Sequence, residues 1–246
     1  MQFQQSTIPM PNEILLEMKE WIKSEDLKSI QHQEFIYAYY WLLAYLWRYA
    51  QYAEQKITQS DIKRILGYNP DEKRLNYIIK KRGLLDEKDY TLATNNFPVN
   101  WSFTIDKELS FDMLYDFNED DRTYLLKYDS NRYIIKEPIR FTGTDDEEGI
   151  YWNTSNTHMV SGEVLSNCIE NGFSCAPFYL YGILVFIRDK SNSDEFPCAN
   201  NTLCEYTGWN ERKIIRTTNT LMDLGFIQKE QKNKQKGAVN YYRLTV

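Results

Sequence analysis

Two segments of the chain end one helix at a glycine and start another at an asparagine two residues later, which restricts the folds available. In the segment from Gly208 to Gly225, Asn210 is a favourable N-cap and apolar residues then recur at helical spacing until the second glycine. The segment from Gly67 to Gly83 repeats this arrangement, with Asn69 in the capping position. Each segment therefore predicts a turn followed by an amphipathic helix.

The residues around Gly208 to Gly225 predict four further elements. Before it, PFYLYGILVFIRDK predicts a long apolar helix, FPC a short strand, and Asn200 to Thr207 a short helix. After it, Phe226 to Val246 predicts two strands joined by the polar turn NKQKG.

The residues around Gly67 to Gly83 predict a similar order. Phe35 to Tyr52 predicts an aromatic helix, Ile57 an extended link, and Gln59 to Leu66 a helix capped by Thr58. Leu84 and Leu85 are expected to begin a strand. The two segments thus form an internal repeat.

The stretches ITQSDIKRILGYNPDEKRLNYIIKKRGLL and CANNTLCEYTGWNERKIIRTTNTLMDLGFI resemble the tandem winged helix-turn-helix proteins. The resemblance covers Phe35 to Tyr90 and Pro177 to Val246, about half of the chain. It implies DNA binding, as in plasmid replication initiators with two winged helices, or protein binding, as in condensin accessory subunits. The expected fold is mostly helical α+β. Residues 1–100 would hold an N-terminal helix, Asn12 to Lys23, and the first winged helix, residues 101–172 an acidic linking segment, and residues 173–246 the second winged helix.

The charge of the chain is unevenly distributed. Its formal net charge is -6, yet Lys56 to Arg82 has eight basic and three acidic residues, and Leu203 to Val246 has eight basic and four acidic residues. These net charges of +5 and +4 leave -15 in the rest of the chain. Because attraction to phosphate acts over about 8 to 10 Å at physiological salt, local charge matters more than the total.

Polar residues on the two predicted helices are candidates for DNA contact. Arginine can read guanine, asparagine can read adenine, and lysine and threonine suit phosphates or base edges. The candidates in the second segment are Arg212, Lys213, Arg216, Thr217, Asn219 and Thr220 on the helix, with Lys232, Lys234 and Lys236 in the hairpin turn. Those in the first are Lys73, Arg74, Asn76, Tyr77 and Lys80. The alternatives are a solvated polar face and, for the first segment, a protein or dimer contact.

The acidic middle of the chain is the one candidate for metal chemistry. A helix is expected over Leu109 to Tyr128, a strand over Tyr133 to Phe141, and a short helix over Met159 to Gly172. Asp112, Asp116 and Asp120 would share a helix face, and a divalent metal site in a nuclease requires carboxylates that converge. A stripe on one helix more often faces water, and no lysine or histidine stands nearby as a catalytic partner, so we expect no metal.

Other features argue against an enzyme and against a membrane protein. The sequence has no P-loop, GxSxG or HExxH motif, and its four cysteines do not have zinc-site spacing, so reduced thiols are expected. The start lacks a secretory signal and the apolar run from Phe35 to Trp47 is too short to span a bilayer, which indicates a cytoplasmic protein. We therefore expect a non-catalytic double-stranded DNA-binding protein without cofactor or small-molecule substrate. It would act, as a homodimer, in transcription regulation or replication initiation on a plasmid, phage or mobile element. The rival is an interaction subunit of a chromosome- or plasmid-maintenance assembly.

Overall fold

The computed structural model describes residue 3 and residues 6–54, 57–105, 109–126, 135–141, 154–231 and 239–246. These residues form a mostly helical α+β fold with small antiparallel sheets, as the sequence predicts at that level. Within the described ranges, no helix has the length and apolar character needed to cross a membrane.

The bounds of the elements are as follows. The helices are α1 (Asn12–Lys23), α2 (His32–Arg48), α3 (Gln51–Glu54), α4 (Gln59–Ile65), α5 (Asn76–Ile79), α6 (Leu84–Glu87), α7 (Glu119–Leu126), α8 (Gly162–Glu170), α9 (Ala176–Ser191), α10 (Asn200–Thr207) and α11 (Glu211–Asp223), with 3-10 turns at Lys73–Leu75 and Leu114–Asp116. The strands are β1 (Thr7–Pro11), β2 (Leu92–Ala93), β3 (Pro98–Phe103), β4 (Leu109–Met113), β5 (Lys136–Glu137), β6 (Thr157–Ser161), β7 (Glu195–Cys198), β8 (Ile227–Gln231) and β9 (Asn240–Leu244).

The chain forms two compact units. One consists of Met1–Ala38 together with Asn156–Val246, and the other is Tyr39–Ser155, so the division falls inside α2. This differs from the three consecutive segments 1–100, 101–172 and 173–246 expected from the sequence. The first residues group with the end of the chain because β1 pairs with β6 along its whole length.

Helix α9 forms the core of the unit that contains the C-terminus. Its residues from Ala176 to Phe186 are all buried, as expected for a helix that is apolar on every side. Helices α8 and α11 and strands β6 and β7 pack against it. Gly182 lets the Tyr37 ring of α2 lie against α9, because a Cβ atom there would overlap that ring and its hydroxyl.

From Ala176 to Val246 the elements occur in the predicted order. After α9 come β7, α10 and α11, and β8 and β9 then form a hairpin that β7 extends into a sheet of order β7-β9-β8. Gly208 and Gly225, with φ of 65° and 79°, follow α10 and α11 in the left-handed conformation that glycine adopts without strain.

A buried histidine links β6 to two other elements of the same unit. The Tyr37 hydroxyl lies 2.7 Å from Nε2 of His158, and Asn12 Oδ1 lies 2.9 Å from Nδ1. Because an amide oxygen only accepts, Nδ1 carries the proton and Nε2 accepts from tyrosine. Burial lowers the pKa of His158 to about 3, so the ring is neutral at physiological pH.

The unit Tyr39–Ser155 departs further from the sequence-based expectations. Helix α2 ends at Arg48, before Ala50 adopts a φ of 49°, and does not continue to Tyr52. Leu84 and Leu85 begin the short helix α6 and not a strand, since their side chains are buried on a helical turn. The first strand after this segment is β2, Leu92–Ala93, which pairs with β5.

The predicted elements of the acidic middle are partly wrong. Leu109–Met113 forms β4, paired with β3, and only Glu119–Leu126 is α-helical within Leu109 to Leu126. The alternating burial of Leu109, Phe111 and Met113 has the period of a strand, which is why the helical prediction fails there. Residues 127 and 128 of the predicted helix, and 133 and 134 of the predicted strand, lie outside the described residues.

Candidate nucleic-acid interface

Helix α11 is held in place by the turn that precedes it. Gly208 lies against Ile30, whose Cδ1 would be 2.5 Å from a Cβ atom at that position, so the turn needs glycine for both its conformation and its packing. Asn210 then caps the helix as predicted, its side-chain oxygen accepting a hydrogen bond from the Lys213 backbone N–H at 2.9 Å. Local sequence thus fixes where the helix begins.

One side of α11 is buried against the rest of its unit. Ile214, Thr217, Thr218 and Leu221 are buried, and the helix packs against α9 and α10. Thr217 follows Ile214 by three residues and precedes Leu221 by four, so helical geometry places it on the buried side. Its predicted role in contacting DNA is therefore corrected, because only 4% of its surface is exposed.

The opposite side of α11 presents three of the residues that the sequence predicts to contact DNA. Arg212, Arg216 and Asn219 are exposed, at the spacing predicted from the sequence. Two apolar residues, Ile215 and Met222, are exposed on the same helix, 41% and 39% respectively. This face can therefore offer charged, amide and apolar contacts to one ligand.

Two other predicted residues on α11 have partners within the protein. The Thr220 hydroxyl donates a hydrogen bond to the Arg216 carbonyl oxygen at 3.1 Å. The Lys213 ammonium donates to the Glu34 carboxylate and lies 3.9 Å from the centre of the Trp209 ring. Burial raises the pKa of Glu34, and the Lys213 and Ser174 side chains oppose that shift. Lys213 is thus held against its own unit and is less available to a ligand than Arg212.

The hairpin after α11 is described on both sides of its turn. Strands β8 and β9 pair in continuous antiparallel register from Ile227 opposite Leu244 to Gln231 opposite Asn240. Lys232, Lys234 and Lys236, predicted to contact DNA from this turn, lie outside the described residues. Arg243 on β9 is exposed and Lys229 is half-buried, 5.9 Å from the centre of the Tyr242 ring.

The first segment does not form a single helix after Gly67. Thr58 caps α4 as predicted, in a capping box with Asp61, and Gly67 follows α4 with a φ of 76°. Asn69 instead makes a local turn, its side-chain oxygen accepting from the Asp71 N–H at 3.0 Å. Regular structure resumes only at Lys73, as a 3-10 turn followed by the four residues of α5.

Among the predicted DNA-binding residues of the first segment, some side chains hydrogen-bond within the protein and others are exposed without such a bond to any described residue. Asn76 accepts a hydrogen bond at 2.7 Å from Lys63, a buried lysine whose pKa is lowered by burial. Arg74 makes two hydrogen bonds to Glu72, at 2.9 and 2.7 Å, which lower the pKa of that carboxylate to about 2. Tyr77 is half-buried, and Lys73 and Lys80 are exposed.

The three aspartates considered for metal binding do not share a helix face. Asp112 lies on β4, Asp116 in a 3-10 turn and Asp120 on α7. Asp116 also accepts a hydrogen bond from the Met113 N–H at 2.7 Å. Among the described residues, no group of three or more histidine, cysteine, aspartate or glutamate side chains is placed to hold a metal. Of the four cysteines, Cys168, Cys175 and Cys198 are buried and Cys204 is half-buried.

Three buried charged residues that form hydrogen bonds or ion pairs were not predicted from the sequence. Lys63 and Lys136 are buried lysines, and Glu34 is a buried glutamate at the start of α2. Lys63 follows the buried Ile62 on α4, which gives a weak signal, whereas Glu34 is 179 residues from its partner Lys213 and gives none.

Comparison with known proteins identifies no relative of this chain. No family model matches the chain, and neither the curated proteins nor the solved structures give a significant match.

Proposed function

We propose that this protein binds double-stranded DNA without catalysing a reaction, and that residues 176–246 act as a winged helix with α11 as its reading helix. The observation that carries the proposal is the exposed stripe Arg212, Arg216 and Asn219, opposite a side buried against α9 and α10. The order of elements from α9 to β9 supports the same assignment.

The dimensions and chemistry of α11 suit the major groove. Its 13 residues extend about 20 Å, and the groove, about 12 Å wide, accepts an α-helix. Arg212 and Arg216 would pair with guanine, Asn219 with adenine, and the exposed Ile215 would contact a thymine methyl group. The acidic total charge does not oppose this binding, because phosphate attraction depends on charges within about a Debye length.

The first segment is not proposed as a second reading helix. Its Asn76 is occupied by Lys63 and its Arg74 by Glu72, so neither side chain reaches a base without breaking an internal contact. The four residues of α5 are also too few to follow the groove. The biological role we propose is regulation of transcription or initiation of replication on a plasmid, phage or mobile element, by a homodimer whose two copies of α11 read half-sites.

Titration with duplex DNA tests the proposal. Duplexes enriched from a random pool would be titrated with the whole chain at about 50 and 200 mM salt, with fluorescence anisotropy as the readout. We expect tight, salt-dependent binding, lost preference in Arg216→Ala, and no change in Arg188→Ala, an arginine of the same unit outside α11. Absence of binding to every duplex at low salt would overturn the proposal.

A second candidate function is an interaction subunit of a chromosome- or plasmid-maintenance assembly, without DNA sequence preference. The favouring observation is a group of exposed apolar residues on β3 and beyond it: Trp101, Phe103 and Ile105, of which Phe103 is 56% exposed and Ile105 fully so. Protein surfaces of this composition commonly contact other proteins. The same titration separates the two functions, because the interaction subunit requires no preference among duplexes.

A further inference from the structure

A cationic turn joins α5 to α6 in the unit Tyr39–Ser155. Its three consecutive residues Lys80, Lys81 and Arg82 are all exposed. None of the three side chains forms an ion pair with any described residue. This distinguishes them from Arg64 and Arg74 of the same unit, which pair with Asp61 and Glu72.

The backbone of this cationic turn is fixed from inside the unit. The buried Lys136 donates hydrogen bonds to the Lys80 carbonyl oxygen at 2.8 Å and to Asp86 at 2.7 Å. Asp86 also accepts from the Arg82 N–H at 2.7 Å, which holds Arg82 at a φ of 54°. A Cβ atom on Gly83 would lie 2.6 to 2.8 Å from the carbonyl oxygens of Tyr77 and Ile78 on α5 and of Lys80 in the turn, so no larger residue fits there. The turn therefore presents its three side chains from a preorganised backbone.

The anchoring carboxylate does not neutralise the exposed cations. Asp86 forms an ion pair with the buried Lys136 and accepts further hydrogen bonds from the Thr91 hydroxyl and the Arg82 N–H. Its negative charge is therefore compensated by these partners and not by the exposed side chains of the turn. Residues 80–89 together with Lys136 contain five basic and three acidic side chains, a net charge of +2. Glu87 and Asp89 are exposed and moderate the local field without reversing its sign.

We propose that the Lys80–Arg82 turn binds the phosphate backbone of duplex DNA, independently of sequence. Lysine ammonium groups act as point charges that suit phosphate oxygens, and a tight turn cannot enter a groove as a helix does. The turn would thus replace the second reading helix that the sequence suggested. The inference rests on the proposed function, because it assigns a second contact to the same ligand.

The test compares the salt dependence of binding in variants of the whole chain. The turn variant is Lys80→Gln, Lys81→Gln and Arg82→Asn, asparagine being the residue other than glycine that best tolerates positive φ. The control variant, Lys23→Gln, Lys28→Gln and Lys190→Gln, removes the same charge from exposed positions in the other unit. Circular dichroism and thermal melting confirm that both variants fold.

We expect the turn variant to lower the slope of log K against log salt by up to about 2.7, since each phosphate contact contributes about 0.9. At about 0.1 M salt, its affinity should fall by up to about 500-fold, for specific and random duplexes alike. The control should keep the wild-type slope. An unchanged slope in the turn variant, while Arg216→Ala still loses sequence preference, overturns this inference alone. If the slope falls in the turn variant while Arg216→Ala keeps its sequence preference, phosphate binding by the turn is supported and base reading by α11 is contradicted. If the wild-type chain binds no duplex, both the proposed function and this inference are overturned.

Discussion

The Lys213 ammonium group of α11 donates a hydrogen bond to the Glu34 carboxylate, which is buried at the start of α2. The same ammonium group lies 3.9 Å from the centre of the Trp209 ring. A lysine predicted to face DNA is instead a tether between the candidate reading helix and α2. Its neighbour Arg212 has no such contact among the described residues and stays exposed.

The first prediction separates the tether from the DNA contact. Lys213→Ala should lower the free energy of unfolding by about 1.5–3 kcal/mol, because it removes the charged hydrogen-bond donor of a buried carboxylate. Arg212→Ala should change that free energy by no more than about 0.5 kcal/mol and should weaken DNA binding. Urea denaturation and anisotropy titration of both variants measure the two effects. Equal stability of Lys213→Ala and wild type would contradict the tether.

The second prediction concerns sequence preference on α11. Arg216→Ala and Asn219→Ala should each cost about 1–3 kcal/mol of discrimination at one base pair, because each removes a potential bidentate contact. Competition between an enriched duplex and its single-base variants measures this. Arg188→Ala, on α9 and outside α11, serves as the control. A uniform loss over all duplexes would assign the two residues to phosphate contact.

The third prediction uses the buried ring of His158. Its folded pKa of about 3 lies below the unfolded value of 6.5, so the unfolded chain takes up a proton first as the pH falls. The stabilisation is therefore complete above pH 6.5 and is lost progressively toward pH 3. Between about pH 7 and 5 the free energy of unfolding should fall by about 2 kcal/mol.

The chain has only two histidines, which provides a matched control for this titration. His158→Gln should be less stable than wild type at pH 7 but should show a flatter pH profile from about 7 to 5. His32→Gln removes the other histidine and leaves the contribution of His158 in place. Urea denaturation at several pH values gives both curves, and an unchanged slope in His158→Gln would show that another group titrates.

The fourth prediction concerns the buried ion pair under the cationic turn. Lys136 is fully buried, so Lys136→Met leaves Asp86 with a charge that has lost its cation. We expect a loss of about 3–5 kcal/mol in the free energy of unfolding. Adding Asp86→Asn should recover part of it by removing the unpaired charge. Denaturation of the single and double variants decides this, and additive losses would argue against coupling.

The fifth prediction concerns the approach of α2 to α9. Alanine is ordinarily more stable than glycine within a helix by about 1 kcal/mol. At position 182, however, the added Cβ would overlap the Tyr37 ring, which its hydrogen bond to His158 holds in place. Gly182→Ala should therefore destabilise the protein by about 1–3 kcal/mol. A thermal melt at or above the wild-type midpoint would show that Tyr37 can move.

Local sequence predicted much of the C-terminal part of the fold and some of the candidate site. The cap at Asn210, the glycines that end α10 and α11, and the exposure of Arg212, Arg216 and Asn219 follow from one or two helical turns of sequence. Thr217 was predicted to contact DNA but is buried, because its spacing from Ile214 and Leu221 places it on the buried side of α11 despite its polar side chain. The structure of the first segment was predicted less well, because Asn69 forms a local turn where a helix cap was expected.

The sequence by itself determined α1, α4, the turn at Gly208 and α11, whose hydrogen bonds close within a few residues, and the hairpin of the consecutive strands β8 and β9. Only the tertiary structure decided which charges remain available to a ligand. Lys213 is engaged by Glu34, 179 residues away, and Lys136 by Asp86, 50 residues away. An unpaired charge is costly to bury, so a buried lysine or carboxylate is stable only when it pairs with another group. That group can be far away in the sequence, and no local sequence pattern identifies it.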